Sequence, residues 1–283
     1  LGFILLSAGC AIGVGNVWKF PWMAGQYGGG AFVLIYLIFL FILGLPVMLT
    51  EFSLGRASQA SPVMLYQKLQ KKGQKWHLHG YGTLVANTIL MMFYTSVAGW
   101  ILYYFFSFLK GDMTGITNAA SEALFGNMLS DPVVMVGSMA MVVVMGFLIL
   151  SFGLQNGVER ITKVMMLVLL ALLVGLAIYS CTLSNAAEGL KFYLVPSFKN
   201  MKDAGIAEVI SAAMGQAFFT LSIGIGSVAI FGSYIGKERR LLSEAATIIS
   251  LDTFVAITAG LIVFPACFTY NNGGGLDVGN ANA

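Results

Sequence analysis

The polar chemistry open to this chain is concentrated in three places. Two are glycine-interrupted apolar segments, Gly9-Cys-Ala-Ile-Gly-Val-Gly-Asn16 and Phe219-Thr-Leu-Ser-Ile-Gly-Ile-Gly226; Asn16 stands beside the first interruption, Thr220 and Ser222 beside the second. The third is Asp252, the only aspartate inside an apolar span. Glycines in the middle of a membrane helix free amides and carbonyls that lipid cannot satisfy, so something polar must sit between the halves. Half-helix N-termini favour an anion there, and unwound carbonyls and C-terminal ends favour a cation. An ionisable side chain within the membrane is read as functional by default. These residues therefore point to binding of small charged solutes. Bond-making chemistry lacks its parts, since an intramembrane enzyme needs a Ser/His pair, an H-E-x-x-H helix or paired aspartates. His77 and His79 lie two residues apart in a polar loop, without the i, i+4 spacing of a helical metal pair. No Lys-Ser/Thr follows Gly13-Val-Gly in the register of a phosphate loop. Cys10, Cys181 and Cys267 form neither a disulfide framework nor a metal spacing. The expectation is no enzyme and no organic cofactor, and a net charge of +3 gives no reason for a nucleic-acid partner.

Membrane helices must position these residues. The chain of 283 residues is 58% hydrophobic and 10% charged, with a mean hydropathy of +0.85, where a soluble domain carries about 25% charged residues. A hydrocarbon core of about 30 Å takes about 20 apolar residues per helix. That length predicts seven spans: Leu1–Gln26, Gly30–Leu54, Tyr81–Leu109, Pro132–Phe152, Ile161–Leu183, Ile206–Ile235 and Leu241–Tyr270. The first and sixth are long and glycine-broken, and each reads as two half-helices. Each break lies about ten residues from either end of its span, or about 15 Å, which is the middle of the bilayer. Ten basic residues (Arg56, Lys68, Lys71, Lys72, Lys75, Arg160, Lys163, Lys237, Arg239 and Arg240) face one side. Four (Lys110, Lys191, Lys199 and Lys202) face the other. The first side is therefore cytoplasmic, spans one and seven run outward, and residues 271–283 form an extracellular tail. The basic loop at 56–80 reads as a solvated positive-inside loop, with anionic lipid as the other reading. The opening at Leu1, inside an apolar segment, predicts a shortened N-terminus. Two broken spans, five apart and opposite in direction, predict an inverted repeat around a transported solute.

Gly9-Cys-Ala-Ile-Gly-Val-Gly-Asn-Val-Trp-Lys-Phe-Pro21, followed by Gly28-Gly-Gly-Ala-Phe32, resembles the first-helix signature of the neurotransmitter:sodium symporter family. Gly44-Leu-Pro46, Glu51 and Gly55-Arg56 continue the likeness in span two, and Gln216-Ala-Phe-Phe-Thr-Leu-Ser222 is similar to the family's sixth helix. The resemblance runs over the whole chain. It implies an all-α polytopic membrane fold, a five-plus-five inverted repeat with discontinuous helices one and six, here truncated after helix seven of eleven or twelve. In that frame residues 1–283 are one transporter domain, with a first repeat at about 1–183 and a partial second at about 206–270.

The resemblance implies sodium-coupled uptake of an amino acid by alternating access, with a receptor or channel on the same fold as the alternative. Sodium site one would take the Ala11 carbonyl, Asn16, Thr220, Asp252 and the substrate's own carboxylate, hard oxygen ligands that suit the ion. Sodium site two would take carbonyls of Gly9 and Ile12, with its other ligands on an eighth span absent here. Amides of Val14 and Gly15 and the Tyr94 hydroxyl would hold the substrate carboxylate. Carbonyls of Ala11, Phe219 and Thr220 and the Ser222 hydroxyl would hold its ammonium. Monoamine-carrying relatives place an aspartate where this chain has Gly13, so Gly13 implies an amino acid; Leu90, Phe219 and Ile225 favour an apolar side chain. Tyr36, Gln216 and Thr220 match positions that hold chloride in some relatives, but Ala256 replaces their serine. Asp252 stands where many relatives have asparagine, and its fixed charge implies chloride independence. Lys19 takes the place of an outer-gate arginine, and Glu51 is expected either to satisfy backbone freed at the breaks or to take part in gating. Gly157 is followed ten residues on by Leu167, where relatives often have proline, which counts against local unwinding at the fifth helix. The short loop Lys110–Asp131 and the lack of an N-x-Ser/Thr sequon favour a prokaryotic inner membrane, with the N-terminal side cytoplasmic.

Overall fold

The computed structural model describes residues 9, 12–113, 115 and 118–270, and is helical through nearly all of them. In chain order the helices are α1 (Phe20–Gln26), α2 (Gly30–Ser58), α3 (Pro62–Leu69), α4 (His77–Lys110), α5 (Asn118–Ser130), α6 (Pro132–Ser151), α7 (Gly157–Cys181), α8 (Ala186–Leu194), α9 (Phe198–Asp203), α10 (Ile206–Thr220), α11 (Ser227–Ser233) and α12 (Leu241–Tyr270). Among the described residues five of these, α2, α4, α6, α7 and α12, are long and apolar enough to cross a bilayer. Among the described residues, spans one and six of the expected seven are not continuous crossing helices. The described part of the first is a π-helical turn, Gly15–Lys19, running into α1, and the sixth is split into α10 and α11. Connections expected to be loops contain α3, α5, α8 and α9, all too short for a bilayer-length criterion to find. His77, placed by the sequence in a loop, opens α4 instead.

Two compact units emerge, the first from residues up to Thr83 together with Ile161 onward, the second Leu84–Arg160. In the first, Phe20, Phe32 and Tyr36 are fully buried, with the Phe20 and Tyr36 ring centroids 4.7 Å apart. This aromatic contact fixes α1, and the turn that bears Asn16, against α2. Pro46 lacks an N–H and crowds the preceding turn, and α2 absorbs it in a π-helical turn over Leu40–Gly44. Beyond the proline, Gly232 of α11 lies so close to Phe52 of α2 that a Cβ there would stand 2.7 Å from the Phe52 Cα. Gly55 faces the backbone of Ala229 even more tightly, so small residues set this crossing. On the other flank, α8 packs on α12 through Tyr193, whose ring stacks on Phe264 at 4.8 Å.

The second unit holds most of α4 with α5 and α6. The Trp100 indole N–H donates to the Met135 sulfur at 3.1 Å, and Gly99 admits the backbone at Met139. Met91, Met92 and Phe93 are exposed, as lipid-facing side chains would be. Before α7 the chain makes a π-helical turn over Leu154–Glu159, entered through Gly153 at φ +81°. The helix start is thus irregular although proline is absent at 167.

Candidate ion and substrate site

α10 stops at Thr220 because the next residues leave helical space: Ser222 lies at φ +52°, Gly224 at +86° and Gly226 at +77°. The two glycines adopt this region without a Cβ penalty, whereas Ser222 incurs about 1–2 kcal/mol. Ser227 offsets part of that cost by donating its hydroxyl to the Ser222 carbonyl at 2.7 Å. Glu51 reaches in from α2 and accepts the Gly224 amide at 2.6 Å, while its second carboxylate oxygen is buried without a hydrogen-bond partner. The glutamate thus satisfies a backbone donor freed by the break. Glu51→Ala should lower stability by about 1–3 kcal/mol, the cost of orphaning a partly buried donor. Glu51→Gln should lose less, because its carbonyl oxygen can still accept. Thermal melts of the two variants check this, and equal melting of both with the parent would remove the anchoring role.

Ala11 lies outside the described residues, and so does Cys10. Gly9 faces Thr162 and Met166 of α7, and Ile12 is buried with Met166, Leu173 and Val255. Next along the chain, the Gly13 carbonyl accepts from the amides of Asn16 and Val17 at 3.1 and 3.3 Å. Gly13 itself is exposed, with no atom within 4 Å of where a Cβ would stand. Its amide donates to Asn16 Oδ1 at 3.2 Å, and the Gly15 carbonyl accepts from Gln216 Nε2 at 3.1 Å. The latter bond ties the first broken helix to α10.

Asn16, Thr220 and Asp252 meet in one buried cluster. Asn16 Nδ2 donates to Asp252 Oδ1 at 2.8 Å, to the Asp252 carbonyl at 3.2 Å and to Thr220 Oγ1 at 3.0 Å. The Thr220 hydroxyl is shared between the two Asp252 carboxylate oxygens at 3.1 and 3.0 Å. Both Asn16 and Asp252 are fully buried. Tyr36 and its hydroxyl lie within electrostatic reach of Asp252 and Thr220, but no hydrogen bond of standard geometry forms. The carboxylate has only neutral donors around it, and among the described residues the one ion pair is Arg239–Glu244 at 2.8 Å, in the connection to α12. A buried carboxylate held only by an amide and a hydroxyl is costly unless a cation or proton joins it. Thr220 Oγ1 and the two Asp252 oxygens meet here, while Asn16 turns its Nδ2 to them and its Oδ1 to the Gly13 amide; all four oxygens are of the hard type that alkali cations accept.

The other expected substrate residues are distributed over both units. Val14 and Gly15 lead into the first π-helical turn, and a Cβ on Gly15 would press on the Phe219 ring at 2.9 Å. Lys19 Nζ sits 3.8 Å from the centroid of that same ring. Phe219, Ser222 and Ile225 are half-buried around the second break. Leu90 and Tyr94 belong to α4 in the second unit, both half-buried, with the Tyr94 ring edge-on to Phe93.

Tyr193 escaped the sequence reading although it helps to position Asp252. Its hydroxyl donates to the Ile257 carbonyl at 3.2 Å, five residues beyond Asp252, and its ring occupies the space left by Gly260. Ser180 similarly donates to the Ile262 carbonyl at 2.6 Å. The available signal was the spacing of Ala256 and Gly260, a small-residue face one turn long on span seven.

A split helix and a π-helical turn that meet around a buried oxygen cluster define an inverted-repeat membrane fold. The model of the sodium:neurotransmitter symporter family matches residues 1–122 and 123–275, and the chain belongs to that family. An uncharacterised sodium-dependent transporter of Bacillus subtilis, YhdH, is 37% identical over 270 residues, which cover 95% of this chain and 59% of the relative. An uncharacterised sodium-dependent transporter of Methanocaldococcus jannaschii is 33% identical over 274 residues, covering 93% of this chain and 54% of that one. The crystal structure of MhsT in complex with L-phenylalanine superposes with a TM-score of 0.87 at 37% identity, covering 99% of this chain and 63% of that chain. This chain therefore spans somewhat over half the length of these relatives. The fold is the family's all-α five-plus-five inverted repeat with discontinuous helices, in a multi-pass membrane protein.

Proposed function

We propose that the protein is a sodium-coupled symporter that moves an apolar amino acid into the cell by alternating access, without need of chloride. The observation that carries this reading is the Asn16–Thr220–Asp252 cluster: a fully buried acid with no basic partner among the described residues, at the meeting of two broken helices. Sodium is a co-substrate here, held by Asn16, Thr220, Asp252 and the Ala11 carbonyl; a second ion uses carbonyls of Gly9 and Ile12. Around it, amides of Val14 and Gly15 bind the substrate carboxylate, and Gly13 leaves that approach open. Carbonyls of Phe219 and Thr220 and the Ser222 hydroxyl receive the ammonium, and Phe219 and Ile225 face the side chain. The likeness to MhsT, seen with L-phenylalanine, supports an apolar substrate. Sodium binding would bias the protein toward its outward-open state, and substrate would then permit occlusion. In this reading the basic-rich face is cytoplasmic and the membrane is a prokaryotic plasma membrane.

The test is uptake of labelled leucine and tryptophan by the full-length protein in proteoliposomes. An inward sodium gradient is compared with potassium, each with and without chloride. Uptake driven by sodium and indifferent to chloride is expected. A chloride requirement would overturn the role given to Asp252, and substrate binding without sodium-driven uptake would favour a receptor.

A further inference from the structure

The connection between the spanning helices α2 and α4 carries Arg56, Lys68, Lys71, Lys72 and Lys75, and no acid occurs between Glu51 and Asp112. Within the first unit this segment borders a cavity of about 360 Å³ lined by Leu54, Tyr66, Gln70, Gln74, Trp76 and His79, with Leu69. Its polar lining offers donors, with Tyr66 and His79 able to accept as well. Gln70 Oε1 accepts the His77 amide at 3.2 Å and faces His77 Nδ1 at 3.0 Å, and Gln74 Oε1 accepts the Lys71 amide at 3.0 Å. With both carboxamide oxygens used by the turn, their NH₂ groups remain to donate, beside the donor-only Trp76 indole and the Tyr66 and His79 side chains. No carboxylate lines the cavity. A hollow with these donors, beside a segment that carries five basic residues, favours an anion, although the buried Glu51 acts electrostatically on Tyr66 in its lining.

The walls also fix its depth in the membrane. Leu54 lies in the last turns of α2 and His79 in the first turn of α4, so the hollow stands where two spanning helices leave the hydrocarbon. Tyr66 meets His79 edge-on at 4.9 Å, and Trp76 is 59% exposed, as interfacial aromatics are. A free phosphate ion would use the donors and leave the apolar walls of Leu54, Leu69 and Trp76 without a partner.

We propose that this cavity binds the headgroup of an anionic phospholipid. The phosphodiester meets the Gln70 and Gln74 amides within the lysine field, and the glycerol and first acyl methylenes lie against Leu54 and Trp76. Lys68 already donates to the Ser58 carbonyl at 3.3 Å, which leaves Lys71, Lys72 and Lys75 as the lysines to vary.

The full-length protein in detergent is titrated with phosphatidylglycerol, phosphatidylcholine and inorganic phosphate, and bound lipid is counted by native mass spectrometry. Phosphatidylglycerol should bind saturably, phosphatidylcholine should not be retained, and phosphate should not compete. The combined variant K71Q/K72Q/K75Q should weaken phosphatidylglycerol about tenfold or more, and Trp76→Ala should weaken it as well. K191Q/K199Q/K202Q, with the same change of charge elsewhere, should leave it unaltered. Equal retention of both lipids, displacement by phosphate, parental binding in the loop and Trp76 variants, or an equal loss in both lysine triples would each overturn the proposal.

Discussion

Asp252→Asn is expected to raise the sodium concentration for half-maximal uptake about a hundredfold or more, with little change in fold. The substitution keeps an oxygen for the Asn16 amide, now 2.8 Å from Asp252 Oδ1, and for the Thr220 hydroxyl. What it removes is the charge. In a fully buried site where, among the described residues, no lysine, arginine or histidine bonds to it, that charge is the fixed countercharge to a bound cation. Breaking a buried pair by neutralising one partner costs about 3–5 kcal/mol, and each 1.4 kcal/mol is about tenfold in binding. Tyr36, Thr220 and Gln216 stay around the site, and Ala256 follows Asp252 one turn along α12. Asp252→Asn combined with Ala256→Ser should therefore regain part of the uptake only when chloride is present. Sodium titrations of uptake, with and without chloride, read both effects. A single variant with the parent's sodium dependence would remove Asp252 from the ion site.

How much of this was legible in the sequence follows from how local each interaction is. Gly224 and Gly226 announced the break in span six because a left-handed backbone is a property of single residues. Ser222, also left-handed, gave no such signal, since its conformation is imposed by the neighbouring turn and by Ser227. Span length was readable for α2, α4, α6, α7 and α12, where the bilayer alone dictates it. For spans one and six length alone was not enough, and the glycines within them marked the interruptions; length said nothing about α3 or α8. The meeting of Asn16 with Thr220 and Asp252 joins residues 204 and 236 positions apart, which no spacing rule reaches. Resemblance to a family is what links these residues in the sequence. Glu51 was expected to serve freed backbone, but its particular partner, the Gly224 amide, depends on how α2 crosses α11. Tyr193 was missed for the same reason, because its hydroxyl acts on a helix 64 residues away.

That crossing bears the second large effect. Gly55→Ala should destabilise the protein by about 3 kcal/mol or more, above most overpacked sites. A Cβ on Gly55 would fall within the backbone of Ala229, and the Ser233 amide would lie 3.0 Å away. Flexible side chains can give way, but a helix backbone cannot without moving as a whole. Gly146→Ala in α6 is the control: a Cβ there meets nothing within 4 Å, and alanine favours helix, so its melting should match or exceed the parent's. If Gly55→Ala melts like Gly146→Ala, the close approach does not govern this crossing. A surviving Gly55→Ala protein carries a further expectation, because α11 begins only three residues after Gly224. Displacing α11 from α2 pulls the Gly224 amide away from Glu51 and loosens the second break. Its uptake defect should then resemble that of Glu51→Ala, and combining the two should cost less than the sum of the single effects, since both act on the same bond.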